Sequence, residues 1–148
     1  MPSPTPFDPQ AEDVRALGQA ATDWIVRHFS GLRDLPVVPD TTPQATFDRF
    51  SEPMPEHGVA WPELMRRFED EVAPLAFNLP SPRYFGLMNP TPLPVAVFAE
   101  ALAAALNQNL GAWHHSPSAT AIEATVIRWL CTLAGLPKTS FGSLTSGG

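Results

Sequence analysis

One cysteine and one lysine stand in 148 residues. A lone cysteine excludes a disulfide framework within the chain and points to a reducing, cytoplasmic setting. Cys131 lies among Trp129, Leu130 and Leu133 and reads as a buried structural thiol. Lys138, next to Pro137, reads as a solvated lysine. Nine basic residues face fifteen acidic ones, giving a net charge of −6, and no basic cluster is present. Nucleic acid and anionic membranes are therefore not expected partners. Long apolar runs are lacking too. The longest, about Val95 to Leu106, is broken by Glu100 and falls short of the ~20 residues that span a bilayer. The opening MPSPTPFDPQ has neither a positive start nor an apolar run, so it is not expected to be a signal peptide.

Familiar catalytic patterns are also missing. No serine sits in a G-x-S-x-G setting, and GSLTSGG lacks the Gly-Lys-[Ser/Thr] ending of a phosphate-binding Walker loop. Glu69, Asp70 and Glu71 form a run rather than an opposed acid/base pair. His114 and His115 have no third ligand at metal-binding spacing, so no metal site is expected. They read either as polar loop residues or as imidazoles facing a bound aromatic group. His28 reads as a packing residue, and His57 carries no signal.

Proline is abundant instead. Eighteen are present, where roughly 5% of residues is usual. With 44% hydrophobic residues, the chain reads as one globular body of helices joined by extended, proline-punctuated connections. Residues 1–7 read as an adaptable arm. Asp8-Pro9 offers an N-cap and first-turn proline, after which Val14, Leu17, Ala21, Trp24, Ile25 and His28 form one helical face that Gly31 can end. Leu35 to Phe50 reads as an extended connector ending in a short turn of helix. Trp61-Pro62 opens a helix whose apolar side is Leu64, Met65, Phe68 and Val72, with Arg66, Arg67, Glu69, Asp70 and Glu71 as its solvated side.

Pro80 to Pro94 combines aromatics, glycine and prolines without periodicity, which points to a structured loop lining something. From Pro94, PVAVFAEALAAALNQN is so uniformly apolar that it should be buried on most sides, at a subunit interface or against a larger body. Ser116-Pro117 begins a last helix, with Ala119, Ile122, Val126, Trp129, Leu130 and Leu133 as its buried face and Gly135-Leu136-Pro137 as its stop. FGSLTSGG then reads as a strand running into a glycine turn. Glycines let backbone approach an anion closely, and a lone strand needs a partner from elsewhere.

Pro82-Arg83-Tyr84-Phe85-Gly86, the stretch Asn107 to Trp113, Ser116-Pro117, Glu123, Trp129-Leu130, Gly135-Leu136-Pro137 and Leu144 to Gly148 occur in that order. Together they resemble the N-terminal third of the group II pyridoxal-phosphate-dependent decarboxylases, the aromatic-L-amino-acid and glutamate decarboxylase family of fold type I. The resemblance runs from about Asp8 to Gly148. It implies a chain that is mainly α, comprising an N-terminal helical arm over residues 1–80, which wraps a second copy in an obligate dimer, and the start of a large α/β domain over residues 81–148. It implies pyridoxal 5'-phosphate as cofactor, with Ser146, Gly147 and Gly148 beginning its phosphate cup, and a small amino-acid substrate that loses its α-carboxylate as CO₂ to give an amine. Tyr84, Phe85, Leu87, Met88, Asn89 and Pro90 would line the substrate pocket. Asn109, Gly111, Trp113 and His114 would reach the neighbouring subunit's site.

The sequence departs from the pattern where Leu87 and Met88 replace aromatics and Gly111 replaces a bulkier residue. The family's stacking histidine, pyridinium-pairing aspartate and Schiff-base lysine fall beyond the glycine pair, so no catalytic residue is assigned within this chain, and a complementary C-terminal polypeptide is expected for activity. A truncated piece, a split enzyme, and cleavage by an N→O acyl shift are the three readings of the terminus at Gly148. Aldehyde synthase or aminotransferase-like chemistry and an inactive helical dimerisation fragment are the alternatives in function.

Overall fold

A computed structural model describes residues 10–145; the expected arm at residues 1–7, the Asp8-Pro9 helix start and the glycine turn at residues 146–148 lie outside them. The chain divides after Thr91 into two units. The first carries α1 (Ala11–Gly31), α2 (Pro43–Phe50) and α3 (Trp61–Arg67), the second α4 (Pro94–Leu106) and α5 (Pro117–Leu133). No strand forms among the described residues.

In the first unit, α1 half-buries Leu17, Ala21, Trp24, Ile25 and His28 of the face that its three- and four-residue spacing marks out, while Val14 of that face is exposed. Trp24 stacks on His28, with ring centroids 4.8 Å apart, and meets Phe68 in a T-shaped contact at the same distance. Gly31 is the last helical residue, and its carbonyl accepts from the amides of Asp34 and Leu35. The helix after Trp61 changes winding partway. Phe68–Val72 is a π-helical turn, closed by Ala73 N–H donating to the Phe68 carbonyl, and Ala73–Leu75 is a 3₁₀ turn. Pro74 explains part of this, because it has no N–H to donate to the Asp70 carbonyl four residues back. Arg49 Nη2 donates to that carbonyl instead, at 3.1 Å.

Two expectations change here. The connector contains an eight-residue helix, α2, capped by Thr42, whose hydroxyl accepts from Ala45 N–H at 3.2 Å, with Pro43 in its first turn. Glu69 is not merely solvated: it bonds Arg27 of α1 at 2.7 Å, across to the neighbouring element. Arg66 and Asp70 do remain exposed, paired with each other at 3.1 Å.

The second unit bears on three more. α4 is exposed along nearly its whole length, with Leu102 68% exposed; the surface expected to cover it, a second subunit or a larger body, is not among the described residues. It ends at Leu106, where Asn107 takes a left-handed conformation (φ 46°) as its C-cap; asparagine tolerates this better than most residues. On α5 Ala119 and Val126 of the expected face are half-buried, as are Glu123, Ile127 and Cys131, whereas Ile122, Trp129, Leu130 and Leu133 are exposed. Cys131 is therefore not fully buried. Third, Phe141–Thr145 forms no strand; with no neighbouring strand to bond, a single extended segment cannot build a ladder.

α5 stops as its Gly-Leu-Pro sequence predicts. Gly135 adopts φ +69°, Leu136 N–H donates to the Cys131 carbonyl and Gly135 N–H to that of Thr132. These are the paired bonds of a Schellman motif, with Pro137 blocking continuation. Gly135→Ala should destabilise the second unit by about 1 kcal/mol, since alanine disfavours this backbone region; urea denaturation of the two forms measures it. In the first unit, burial lowers the pKa of His28 from its ordinary 6.5. The unfolded chain then gains the proton first as pH falls, so this contribution to stability is complete above about pH 6.5 and shrinks below it. Urea midpoints at about pH 7.5 and about pH 5.5 should differ in that direction, and His28→Gln should flatten the difference.

Candidate functional site

The loop after the 3₁₀ turn is fixed at its stem by buried polar groups. Asn78 and Ser81 are buried although polar; the Asn78 side-chain amide donates to the Leu32 carbonyl at 3.4 Å, and its Oδ1 has no partner among the described residues. Asn78 N–H donates to the Val37 carbonyl at 2.9 Å, Ser81 N–H to that of Asn78, and Tyr84 N–H to that of Ser81. Ser81 Oγ accepts from Arg83 N–H, and the Arg83 guanidinium donates to the Leu35 carbonyl at 2.7 Å. Tyr84 is half-buried, its ring in a T-shaped contact with Phe77 at 5.3 Å. Its hydroxyl accepts from Leu87 N–H at 3.0 Å. Beyond this stem Phe85, Leu87 and Met88 are 91%, 77% and 100% exposed. Asn89 and Pro90 are exposed as well.

Beside the stem lies a cavity of about 480 Å³, lined by Trp24, His28, Leu35, Phe68, Val72 and Phe77 among others. Its walls are mainly apolar side chains, with the Arg27–Glu69 pair also among them. Sequence reasoning gave no sign of it, because the residues come from two stretches, 24–36 and 68–80, more than thirty positions apart.

The second unit holds the other candidates. Asn109 Oδ1 accepts from Gly111 N–H at 2.8 Å, a local turn that uses the side chain on its own backbone. A Cβ on Gly111 would stand 3.0 Å from that oxygen, so the small residue suits the turn. Trp113, His114 and His115 form a 3₁₀ turn; Trp113 and His114 are exposed, and the two imidazoles lie 4.1 Å apart. Ser116 is fully buried, with no hydrogen-bond partner for its hydroxyl. Tyr84 to Pro90 thus share one loop of the first unit, and Asn109 to His114 share one loop of the second. Ser146, Gly147 and Gly148 lie outside the described residues.

The approach to those three residues is described. After the Schellman stop, Ser140 N–H donates to the Pro137 carbonyl and the chain doubles back along α5. Gly142 faces Ile127, where an added Cβ would lie 4.0 Å from a side-chain methyl, and Leu144 N–H donates to Glu123 Oε1 at 2.9 Å. Glu123 and Ile127 are one helical turn apart, so the returning segment follows one face of the helix. The sequence contained this glutamate, but no spacing rule pairs it with a residue 21 positions later. Among the described residues, no group of three His, Cys, Asp or Glu side chains could hold a metal ion, and no helix is long and apolar enough to cross a membrane.

The family signature described as the pyridoxal-dependent decarboxylase conserved domain matches residues 43–148. The chain is 34% identical over 143 residues to a tyrosine decarboxylase of Oryza sativa subsp. japonica, covering 93% of this chain and 26% of that protein. It is 26% identical to a 3,4-dihydroxyphenylacetaldehyde synthase of Aedes aegypti, covering 86% of this chain and 24% of that one. Its backbone is similar to the crystal structure of Oryza sativa TDC with PLP and tryptamine, at a TM-score of 0.80 and 26% identity, covering 90% of this chain and 28% of the other. It spans about a quarter of the length of these relatives, in their N-terminal part. The mainly helical chain belongs to the pyridoxal-dependent decarboxylase family, as an N-terminal portion of its fold.

Proposed function

We propose that this chain supplies the N-terminal part of an amino-acid decarboxylase, which removes the α-carboxylate as CO₂ and releases an amine. The observation that carries the reading is the family match over residues 43–148, more than half of the chain. Aromatic amino acids are the favoured substrate class, because the relatives include a tyrosine decarboxylase and the exposed loop tip is apolar. Residues 1–80 would serve as a dimer-wrapping arm and residues 81–148 as the beginning of the large domain. The exposed apolar length of α4 supports a second copy or a complementary polypeptide covering it.

Pyridoxal phosphate is the cofactor of the family. When bound, it draws electrons from the substrate's α-carbon. Such a group needs an amine for its aldehyde and donors for its phosphate. Lys138, the chain's single lysine, is exposed in the turn after α5, and the cavity of the first unit is lined by no lysine. On this reading the described residues would not hold the cofactor by themselves, and no catalytic step is assigned to them. Their proposed tasks are to bind and to orient. Leu87, Met88, Asn89 and Pro90 would contact substrate, as would Phe85. Asn109, Gly111, Trp113 and His114 would reach the neighbouring copy's site. Glu123 would hold the segment that leads to Ser146, Gly147 and Gly148, which would open the phosphate cup. Activity would then require the C-terminal polypeptide that the relatives carry beyond this span.

The relative from Aedes aegypti supports a second reading, in which the product is an aldehyde. Intact masses of all polypeptides in the purified protein, followed by product analysis with a panel of amino acids and pyridoxal phosphate, separate these readings. The 16.0 kDa chain alone should release no CO₂, and its assembly with the complement should release CO₂ and an amine from aromatic amino acids. CO₂ release by the isolated chain overturns the need for a complement. An assembly with neither CO₂ release nor lysine-bound cofactor absorbance overturns the enzyme reading, and an aldehyde product favours the second.

A further inference from the structure

We infer that Tyr84 is a positioning residue: with Gly86 it forms a clamp that holds the tip Phe85–Met88 outward as a receptor for an uncharged, apolar amino-acid side chain. This rests on the decarboxylase reading for the identity of the ligand, but the clamp itself is visible without it. Three observations meet at Tyr84. Its hydroxyl accepts from Leu87 N–H at 3.0 Å, closing the turn 84–87 from the inside. Its ring is seated against Phe77 at 83°. Gly86 lies directly over that ring, so that a Cβ there would fall 2.5 Å from the hydroxyl oxygen and 2.6 Å from two ring carbons. Real side chains do not tolerate such distances, so the glycine is required for the backbone to lie on the tyrosine.

The geometry has a consequence for the three apolar side chains. A free loop with Phe, Leu and Met would fold them onto itself, since burying each favours collapse by roughly 1.5–3 kcal/mol. Here the stem is bonded to the segment after α1 through Arg83 and Asn78, and the turn is closed around Tyr84. With the backbone so fixed, Phe85, Leu87 and Met88 stand exposed. No charged residue occurs between Tyr84 and Thr91. A surface of this kind discriminates by apolar contact and offers nothing to a substrate carboxylate, which favours aromatic or aliphatic amino acids over acidic ones.

The test uses Tyr84→Phe, which keeps the ring and loses the acceptor, and Gly86→Ala, which keeps the acceptor and displaces the ring. Amide hydrogen exchange in the purified protein should show Leu87 protected in the parent. In Tyr84→Phe it should exchange roughly five- to tenfold faster, the worth of one hydrogen bond, with the amides of Asn78 and Ser81 unchanged. In the active assembly, Tyr84→Phe should raise KM for aromatic amino acids several-fold, lower kcat by less, and leave bound cofactor unchanged, with Gly86→Ala shifting KM further the same way. A Leu87 amide that is unprotected in the parent, or unaltered in Tyr84→Phe, overturns the clamp. Unchanged KM with a fall in kcat or cofactor content overturns the substrate role, as does a preference for glutamate. Absence of CO₂ release from every amino acid defeats the functional reading and the substrate role together, and exchange at Leu87 then judges the clamp alone.

Discussion

The T-shaped contact between Trp24 and Phe68 fixes the first unit, because it joins the longest helix to the segment that leads into the loop. Phe68 begins the π-helical turn, and the extra residue per turn changes which side chains face α1. Glu69 thereby comes to pair with Arg27 on the same side as the ring contact. An exposed ion pair of this kind contributes little by itself, typically about 0–1 kcal/mol, so the aromatic packing carries more of the association. Arg49 adds a polar tie by donating to the Asp70 carbonyl left free by Pro74. A single proline thus links the winding of one helix to the placement of another.

How far the sequence revealed this depended on the range of the interactions. α1 was legible from its face, and α5 from Ser116-Pro117 at one end and Gly135-Leu136-Pro137 at the other, because periodicity and caps act within a turn or two. α2 was underestimated: its prolines suggested an extended connector, yet Pro43 stands in the first turn, where proline is compatible with a helix. The covered face of α5 was legible only in part, at Ala119 and Val126. Trp129 and Leu133 are large and apolar yet exposed, whereas Glu123 and Ile127 meet the returning segment. Apolarity shows which residues gain from cover and says nothing about where cover comes from. The same reasoning applies to α4, whose composition calls for burial that the described residues do not provide.

The site was legible in part and for a different reason. The loop from Pro80 to Pro94 stood out because its composition fits neither a regular element nor an ordinary solvated loop. Its internal logic was hidden: the Tyr84–Leu87 bond and the fit of Gly86 over the ring arise only once the loop has closed on itself. Glycine in such a place is easily taken as a mark of flexibility, whereas here it permits a close, ordered approach of backbone to ring.

The return of the chain along α5 sets a length standard. From the Schellman stop at Gly135 to Leu144 the segment must make its turn and still bring Gly142 opposite Ile127 and Leu144 opposite Glu123. Adding or removing one residue between 136 and 140 would move both partners out of step by about 3.3 Å, one extended residue, and turn each side chain to the opposite side. Loop 51–60, which meets no comparable pair of fixed points, is free of that restriction except where Glu52 bonds Arg67. The family's variation in length should therefore gather before α3 and avoid the few residues after α5.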